Sequence, residues 1–137
     1  NVTVVTCMLD IAELFTTTKN VKFILLGGEF NRSQNGFLGE LTRQMMENFR
    51  FDICFMGVVG ADLSNNVITT YVPEDGIMKH DAVQKSSQCY LVMESSKFDF
   101  KANYVYATFD DVEGVICERE LLEEIKKRLE EHQTKII

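Results

Sequence analysis

The 137-residue sequence predicts an α/β fold, a Rossmann-like parallel sheet in three layers with helices on both faces. Two observations favour this fold. Apolar runs of strand length alternate along the chain with segments of helical period. Most of those runs are apolar almost throughout, which is typical of parallel strands buried on both faces. The length suits one domain with its own hydrophobic core, so residues 1–137 are interpreted as a single domain.

The first part of the chain contains two predicted strands and two predicted helices. The predicted elements are strands at 2–6 and 21–26, helices at 8–17 and 38–49, and a loop at 29–37. Gly27-Gly28 ends the second strand sharply. The second helix is the clearest one, because its leucines and methionines form one apolar stripe with charged residues outside it.

The alternation continues through the rest of the chain. The predicted elements are strands at 52–59, 88–93, 104–109 and 114–117, helices at 74–85 and 119–132, and a loop at 64–72. Pro73 suits the first turn of a helix, where its missing N–H has no partner to lose. In the last helix, Glu123 and Glu124 each precede a basic residue by four positions, and each such pair adds about 0.2–0.5 kcal/mol.

The composition excludes several classes of protein. A net charge of −7 argues against a nucleic-acid-binding surface on this segment. No apolar run reaches the length that spans a membrane. The cysteines have no C-x-x-C spacing, so they are interpreted as buried, reduced thiols of a cytoplasmic protein and not as metal ligands. They are Cys7, Cys54, Cys89 and Cys117. The chain has no initiator methionine and is interpreted as a fragment of a longer one.

A candidate ligand site follows the apolar run at 53–59. The run ends in Gly60-Ala61-Asp62, and open α/β sheets bind ligands at that end of their strands. The Asp62 carboxylate can accept hydrogen bonds from ligand hydroxyls, each contributing about 1.5–3 kcal/mol; a loop or cap aspartate is the alternative. Glu74 and Lys79 either pair with each other on the surface or point toward Asp62. Lys97 suits a phosphate or carboxylate, and an exposed, solvated lysine is the alternative.

Other residues carry weaker signals. The backbone amides of Gly27-Gly28 can approach a phosphate or a sugar, although a tight turn explains the same residues. No Walker loop or G-x-G-x-x-G fingerprint is present. His80 and His132 lack the partners of a nucleophile or a metal site and are interpreted as surface residues. No cofactor is expected.

Seven segments, in order and with compatible spacing, resemble one family. They are residues 4–12, 23–30, 37–39, 51–62, 69–70, 74–79 and 95–98. Together they resemble the C-terminal effector domain of DeoR-type bacterial transcriptional regulators. Phe23 to Phe30, for example, reads FILLGGEF, which is similar to the family's ILLGGEY. The likeness covers nearly the whole chain.

The resemblance implies a fold like ribose-5-phosphate isomerase, glucosamine-6-phosphate deaminase and the CoA-transferases. It implies a homo-oligomeric sensor of a phosphorylated sugar or related metabolite, with DNA bound by an N-terminal winged helix-turn-helix. The family's Asp-x-Gly-Thr-Thr phosphate loop is expected before residue 1. The ligand-binding residues that the resemblance and the spacing suggest are Thr6, Cys7, Gly27, Gly28, Gly57, Gly60, Asp62, Thr69, Thr70, Glu74, Lys79 and Lys97.

Three departures from the family pattern shape the expected function. The family's TNS is Thr6-Cys7-Met8 here, and Asn66 replaces a usual glycine. The related isomerases have Asp-Gly-Ala-Asp where this chain has Val59-Gly60-Ala61-Asp62, which removes one proton-transfer group. We therefore expect a non-enzymatic sensor domain of a repressor. The alternatives are an isomerase- or deaminase-like enzyme and an oligomerisation module without a ligand.

Overall fold

The computed structural model describes residues 1–137 and divides them into two compact units, residues 1–49 and 50–137. In the first unit the elements are β1 (Thr3–Thr6), α1 (Leu9–Thr16), β2 (Lys22–Leu25), β3 (Glu29–Asn31), β4 (Gly36–Leu38) and α2 (Glu40–Met46). Strands β1 and β2 are parallel, with α1 as the crossover between them. Strands β3 and β4 form an antiparallel hairpin.

The second unit contains a four-stranded parallel sheet and a three-stranded antiparallel sheet. Its elements are β5 (Phe51–Gly57), β6 (Gly60–Asp62), β7 (Val67–Thr70), α3 (Pro73–Gln84), β8 (Ser86–Met93), β9 (Tyr104–Ala107), β10 (Gly114–Cys117), α4 (Glu123–Glu131) and β11 (Lys135–Ile136). The parallel sheet has the order β11-β10-β8-β5, and the antiparallel sheet the order β6-β7-β9. The predicted parallel sheet of an α/β fold is thus confirmed. None of the four α-helices has the length and apolarity needed to cross a bilayer.

The core of the second unit is formed where the two sheets and helix α4 contribute apolar side chains. Phe109, Ile68, Leu91, Leu129 and Val115 are all fully buried there. Burial of each such side chain stabilises the fold by about 1.5–3 kcal/mol relative to exposure. The loops at the carboxyl ends of β5, β8 and β10 are therefore anchored on rigid strands.

Helix α3 buries one polar residue, Asp75, and a glycine, Gly76, and it contacts β7 and β9 of the antiparallel sheet. A Cβ atom at Gly76 would overlap the ring of Tyr104 and lie 3.2 Å from Cγ2 of Thr70. Gly76 weakens the helix by its propensity alone, but it allows the helix backbone to approach β9 closely. Pro73 occupies the first turn, as predicted.

Both predicted loops contain strands. Residues 29–37 hold β3 and the start of β4, and residues 64–72 hold β7, so the predictions of irregular structure there were wrong. Each hairpin turns through an asparagine in the left-handed region, Asn35 at φ 49° and Asn66 at φ 54°. Asparagine tolerates this conformation because its short side chain bonds locally. Asn66 can therefore take the place of the glycine that the family usually has.

Two predicted helices are shorter in the structure. The helix expected at 38–49 is α2, which begins only at Glu40, because Leu38 ends β4 and Gly39 adopts φ 99°. The helix expected at 119–132 is α4, which begins at Glu123. The residues before it are not helical. Glu120 pairs with Lys126, and Glu118 accepts the N–H of Ser95 in the loop after β8.

Candidate functional site

The carboxyl ends of three parallel strands bring their following loops together at one edge of the second unit. Strands β5, β8 and β10 end at Gly57, Met93 and Cys117. The ammonium of Lys97, after β8, donates a 2.8 Å hydrogen bond to the carbonyl of Val58, after β5. This bond holds the half-buried lysine across the gap between two strand ends, at the place where open α/β sheets bind ligands.

An open depression of about 330 Å³ lies beside this lysine. It is lined by Val59, Tyr71, Ser96, Lys97 and Phe100, and we refer to it as the Lys97 depression. The two aromatic rings meet edge to face with their centroids 6.4 Å apart. One cation and the hydroxyl groups of Ser96 and Tyr71 on an otherwise apolar wall suit a small anionic metabolite, whose carbon skeleton packs on the rings. Lys97 is the only predicted ligand residue in this lining.

The Asp62 side chain bonds within the turn of the β6–β7 hairpin. Its side chain is 2% exposed, Oδ1 accepts the backbone N–H of Asn65 at 3.1 Å, and Oδ2 accepts the side-chain amide of Asn65 at 2.6 Å. The ammonium of Lys101 lies 3.4 Å from Oδ2. The hydrogen bonds from Asn65, aided by Lys101, hold the pKa of Asp62 below its ordinary value. This geometry favours the cap aspartate that the sequence left as an alternative.

The β3–β4 hairpin is closed by the same kind of hydrogen bond, from a backbone N–H in the turn to a side-chain oxygen at the strand end. Asn31 ends its strand as Asp62 does, and Oδ1 of Asn31 accepts the backbone N–H of Gln34 at 3.1 Å. In both hairpins the left-handed asparagine follows one residue later, at positions 35 and 66. The repetition supports a turn-forming role for the Asp62 side chain, because Asn31 supplies the same acceptor without a charge.

A buried polar network joins strand β7 to helix α3. Oδ2 of Asp75 accepts the hydroxyl of Thr70 at 2.6 Å and lies 2.8 Å from the ammonium of Lys79. The ammonium also lies 5.5 Å above the ring centroid of Tyr106. Glu74 is exposed and the ammonium of Lys79 pairs with Asp75, so the Glu74–Lys79 surface pair, one of the two alternatives that the sequence left open, is not the pair that forms. The spacing explains this pairing, because residues four apart lie on one helix face and residues five apart do not.

Three further predicted residues hold the strand ends in place. The carbonyl of Gly57 accepts the phenol of Tyr106 at 3.2 Å. Thr69 is buried, and its hydroxyl donates to the carbonyl of Gly60 at 3.2 Å and accepts the N–H of Ala102 at 3.1 Å. A Cβ atom at Gly60 would collide with the Phe100 carbonyl. Gly60 therefore lets the chain that lines the Lys97 depression pack directly on β6.

The remaining predicted residues lie in the first unit, at the carboxyl ends of β1 and β2. The hydroxyl of Thr6 accepts the N–H of Met8 at 3.1 Å, and its carbonyl accepts the N–H of Leu26. The Cys7 carbonyl accepts the N–H of Phe37 at 2.8 Å. Gly27 follows β2, and Gly28 has φ 138°. A Cβ at Gly28 would overlap the Thr42 side chain, which gives this glycine a packing role.

Sequence reasoning missed several residues of these sites. Asp75 was passed over for its neighbour Glu74, although its spacing of four residues from Lys79 was a usable signal. Tyr71 and Phe100 carried no pattern that placed them in a depression. His132 was wrongly expected on the surface: it is half-buried and stacks on Phe109 with ring centroids 5.2 Å apart. His80 is exposed, as predicted.

Comparison with known proteins identifies the family. The model of the DeoR C-terminal sensor domain matches residues 1–119. The chain is 28% identical to the HTH-type transcriptional regulator IolR of Bacillus subtilis, over 97% of this chain and 53% of that protein. It is 27% identical to the glycerol-3-phosphate regulon repressor of Escherichia coli, over 84% of this chain and 45% of that protein.

A third relative is named as an activator, whereas the glycerol-3-phosphate relative is named as a repressor. The chain is 23% identical to the L-fucose operon activator of Haemophilus influenzae, over 95% of this chain and 52% of that protein. The chain spans about half the length of these curated relatives. Because the family model covers most of the chain and the fold is the expected α/β fold, the chain belongs to the family of DeoR C-terminal sensor domains.

Proposed function

We propose that this sensor domain binds a phosphorylated sugar or a related metabolite without catalysis, and that it belongs to a cytoplasmic, homo-oligomeric repressor of sugar metabolism. DNA is bound by a separate N-terminal domain. The charge of this chain supports that division, because a net charge of −7 opposes contact with a phosphate backbone. Relatives named as regulators of glycerol 3-phosphate and L-fucose operons support the ligand class.

The proposal of binding without catalysis rests on the two positions after β5 that are aspartates in the related isomerases. The first position is Val59, whose apolar side chain lines the Lys97 depression. The second is Asp62, which is buried and bonded to Asn65 through both oxygens. A sugar-phosphate isomerase or deaminase needs a positioned acid or base within hydrogen-bond reach of its substrate. With neither position presenting a free carboxylate, the strand end supports binding and not proton transfer.

One cation at the strand ends, Lys97, suits a phosphate ester. Lys97 presents an ammonium in the depression, anchored by the Val58 carbonyl. The ring faces of Tyr71 and Phe100 offer an apolar wall for the carbon skeleton of a sugar. Among the suggested residues, we assign direct phosphate contact to Lys97. We assign supporting roles to six others. Gly57, Gly60, Asp62 and Thr69 bond to or pack on nearby backbone, and Thr70 and Lys79 pair with the Asp75 side chain.

A ligand screen tests this proposal. The full-length protein is heated with glucose 6-phosphate, fructose 1-phosphate, glycerol 3-phosphate, the same compounds without phosphate, and inorganic phosphate. A sensor gains about 2.7 kcal/mol of stability at a hundredfold excess of ligand over its Kd. We expect at least one phosphorylated compound to raise Tm and its unphosphorylated counterpart to leave it unchanged. Equal Tm values throughout a wider panel of sugar phosphates would favour the oligomerisation module.

A further inference from the structure

Two cysteines face each other across neighbouring parallel strands of the second unit. Cys54 of β5 and Cys89 of β8 are register partners, so their side chains lie on the same face of the sheet. Adjacent strands lie about 4.7–4.9 Å apart, which falls within the Cα separation of about 4.4–6.8 Å that a disulfide requires. The two side chains interact closely enough that each shifts the pKa of the other. The pairing of the two strands therefore holds the sulfurs beside each other.

The two thiols have different environments. Cys89 is buried in the core, whereas Cys54 is half-buried and can be reached by a small molecule. The hydrogen bond from Cys89, with a further one from Ser86, lowers the pKa of Cys54 to about 7, although burial opposes this shift. The bond to Cys54 and burial raise the pKa of Cys89. Cys54 is thus suited to be the attacking thiolate, and Cys89 the resolving thiol.

We propose that Cys54 and Cys89 form a modification site that hydrogen peroxide converts to a disulfide. The Cys54 thiolate attacks one peroxide oxygen; an S–O bond forms, the O–O bond breaks, and hydroxide leaves as water after taking up a proton. The Cys89 sulfur then attacks the sulfur of the Cys54 sulfenic acid, the S–O bond breaks, and the second oxygen leaves as water with the Cys89 proton. Two thiols and one peroxide give one disulfide and two waters.

The disulfide would lie beside the polar network of helix α3. Burial raises the pKa of the Tyr106 phenol, and charge on either thiol raises it further. The same residue lies under the Lys79 ammonium and bonds the Gly57 carbonyl at the end of β5. Oxidation therefore fixes β5 to β8 next to the candidate ligand site, independently of which ligand binds there.

Peptide mapping tests the site in the full-length protein. The reduced protein is treated with one equivalent of hydrogen peroxide at pH 7, remaining thiols are alkylated, and the digest is analysed by mass spectrometry without reduction. We expect an intrachain peptide that links residues 54 and 89. Cys117 is the internal reference, because it is half-buried and burial raises its pKa. Cys54 should be oxidised at least about tenfold faster than Cys117 at this pH.

Variants separate the two roles. Cys54→Ser should leave Cys89 reduced. Cys89→Ser, which keeps a hydrogen-bond donor beside Cys54 but no resolving thiol, should accumulate a sulfenic acid at Cys54 that dimedone traps. Cys117→Ser, the matched control, should form the linked peptide as the unmodified protein does. Should Cys89→Ser fail to fold, the wild-type ratio of linked peptide to oxidised Cys117 still decides the matter. Reduced Cys54 and Cys89 alongside oxidised Cys117, or links only between chains, would overturn the proposal.

Discussion

Asp62 and Asn65 close the β6–β7 hairpin through two hydrogen bonds, one to each carboxylate oxygen. The backbone N–H of Asn65 bonds Oδ1 at 3.1 Å, and its side-chain amide bonds Oδ2 at 2.6 Å. The most conspicuous carboxylate of the sequence is therefore engaged in a turn. This arrangement links the fold to the proposed function, because a carboxylate held in this way is not placed to move protons on a sugar.

Replacing Asp62 tests its role in the turn. We expect Asp62→Ala to lower the free energy of unfolding by about 1–3 kcal/mol, because the N–H of Asn65 loses its acceptor. Asp62→Asn keeps one acceptor, as Asn31 does in the other hairpin, and should lose less. Urea denaturation followed by circular dichroism measures both values. An Asp62→Ala protein as stable as the wild type would show that the turn does not depend on this side chain.

The same carboxylate predicts a loss of stability in acid. The pKa of Asp62 is lowered in the folded protein, while the unfolded value is about 3.9. Above the unfolded value the charged form stabilises the fold fully. As the pH falls through about 4 and on to the folded pKa, the unfolded chain takes up the proton first and this contribution disappears. Denaturation from pH 7 to pH 3 should show a shallower decline for Asp62→Asn, and parallel curves would contradict the assignment.

The Asp75–Lys79 pair predicts energetic coupling within helix α3. Lys79→Met should cost about 1–3 kcal/mol, because it leaves the Asp75 carboxylate buried with only Thr70 as a partner. The expected cost stays below that of breaking a fully buried ion pair, since the Lys79 side chain is 20% exposed. Asp75→Asn combined with Lys79→Met should cost less than the two separate losses added. Glu74→Gln is the control and should change stability by less than about 0.5 kcal/mol.

Replacing Gly76 by alanine should lower the stability of the protein, although helix propensity alone favours alanine. Alanine in an exposed helix is favoured over glycine by about 1 kcal/mol. At Gly76 the added Cβ would overlap the Tyr104 ring, so Gly76→Ala should instead destabilise the protein by about 1–3 kcal/mol. The same substitution made in a Tyr104→Ala background should cost less or become stabilising. Thermal denaturation of the four proteins measures the difference, and a gain of stability in Gly76→Ala alone would contradict the close packing.

Replacing Lys97 should weaken the binding of a phosphorylated sugar. Loss of one charge-assisted contact of about 1.5–3 kcal/mol weakens binding by about 10- to 150-fold, so Lys97→Met should raise the Kd for a phosphorylated sugar by that factor. Lys127 is an exposed lysine on α4, so Lys127→Met is the matched control for the loss of one positive charge. Isothermal titration with the compound identified by the screen gives both constants. Equal Kd values for the two variants would remove Lys97 from the site.

The parts of the fold that the sequence predicted are those with a long, regular pattern. Strand β8 is apolar over most of its length, and Pro73 marks the start of α3, so the residue pattern alone was enough to place both. Strands β3 and β6 have only three residues, too few for an alternating pattern, and they exist because asparagine-containing turns pair them with β4 and β7. Their positions depend on tertiary contacts.

The candidate site was harder to predict than the fold. Lys97 lies four residues after the end of β8, and its place at the carboxyl edge of the sheet was predictable. Whether Glu74 or Asp75 faces the interior depends on the rotation of α3, which the low amphipathicity of that helix does not reveal. The sequence placed the Asp62 carboxylate at the end of the strand predicted at 52–59, whereas Asp62 ends the separate strand β6. Its orientation depends on Asn65, a contact that only the folded hairpin shows.

The most direct test of sensing without catalysis is one titration followed by one assay on the same sample. The full-length protein is saturated with the sugar phosphate that raises its Tm, and the sugar is then followed by NMR. We expect heat of binding that saturates, together with a sugar spectrum that does not change over a day. Conversion of the aldose to its ketose, or release of ammonia from an amino sugar phosphate, would contradict this expectation.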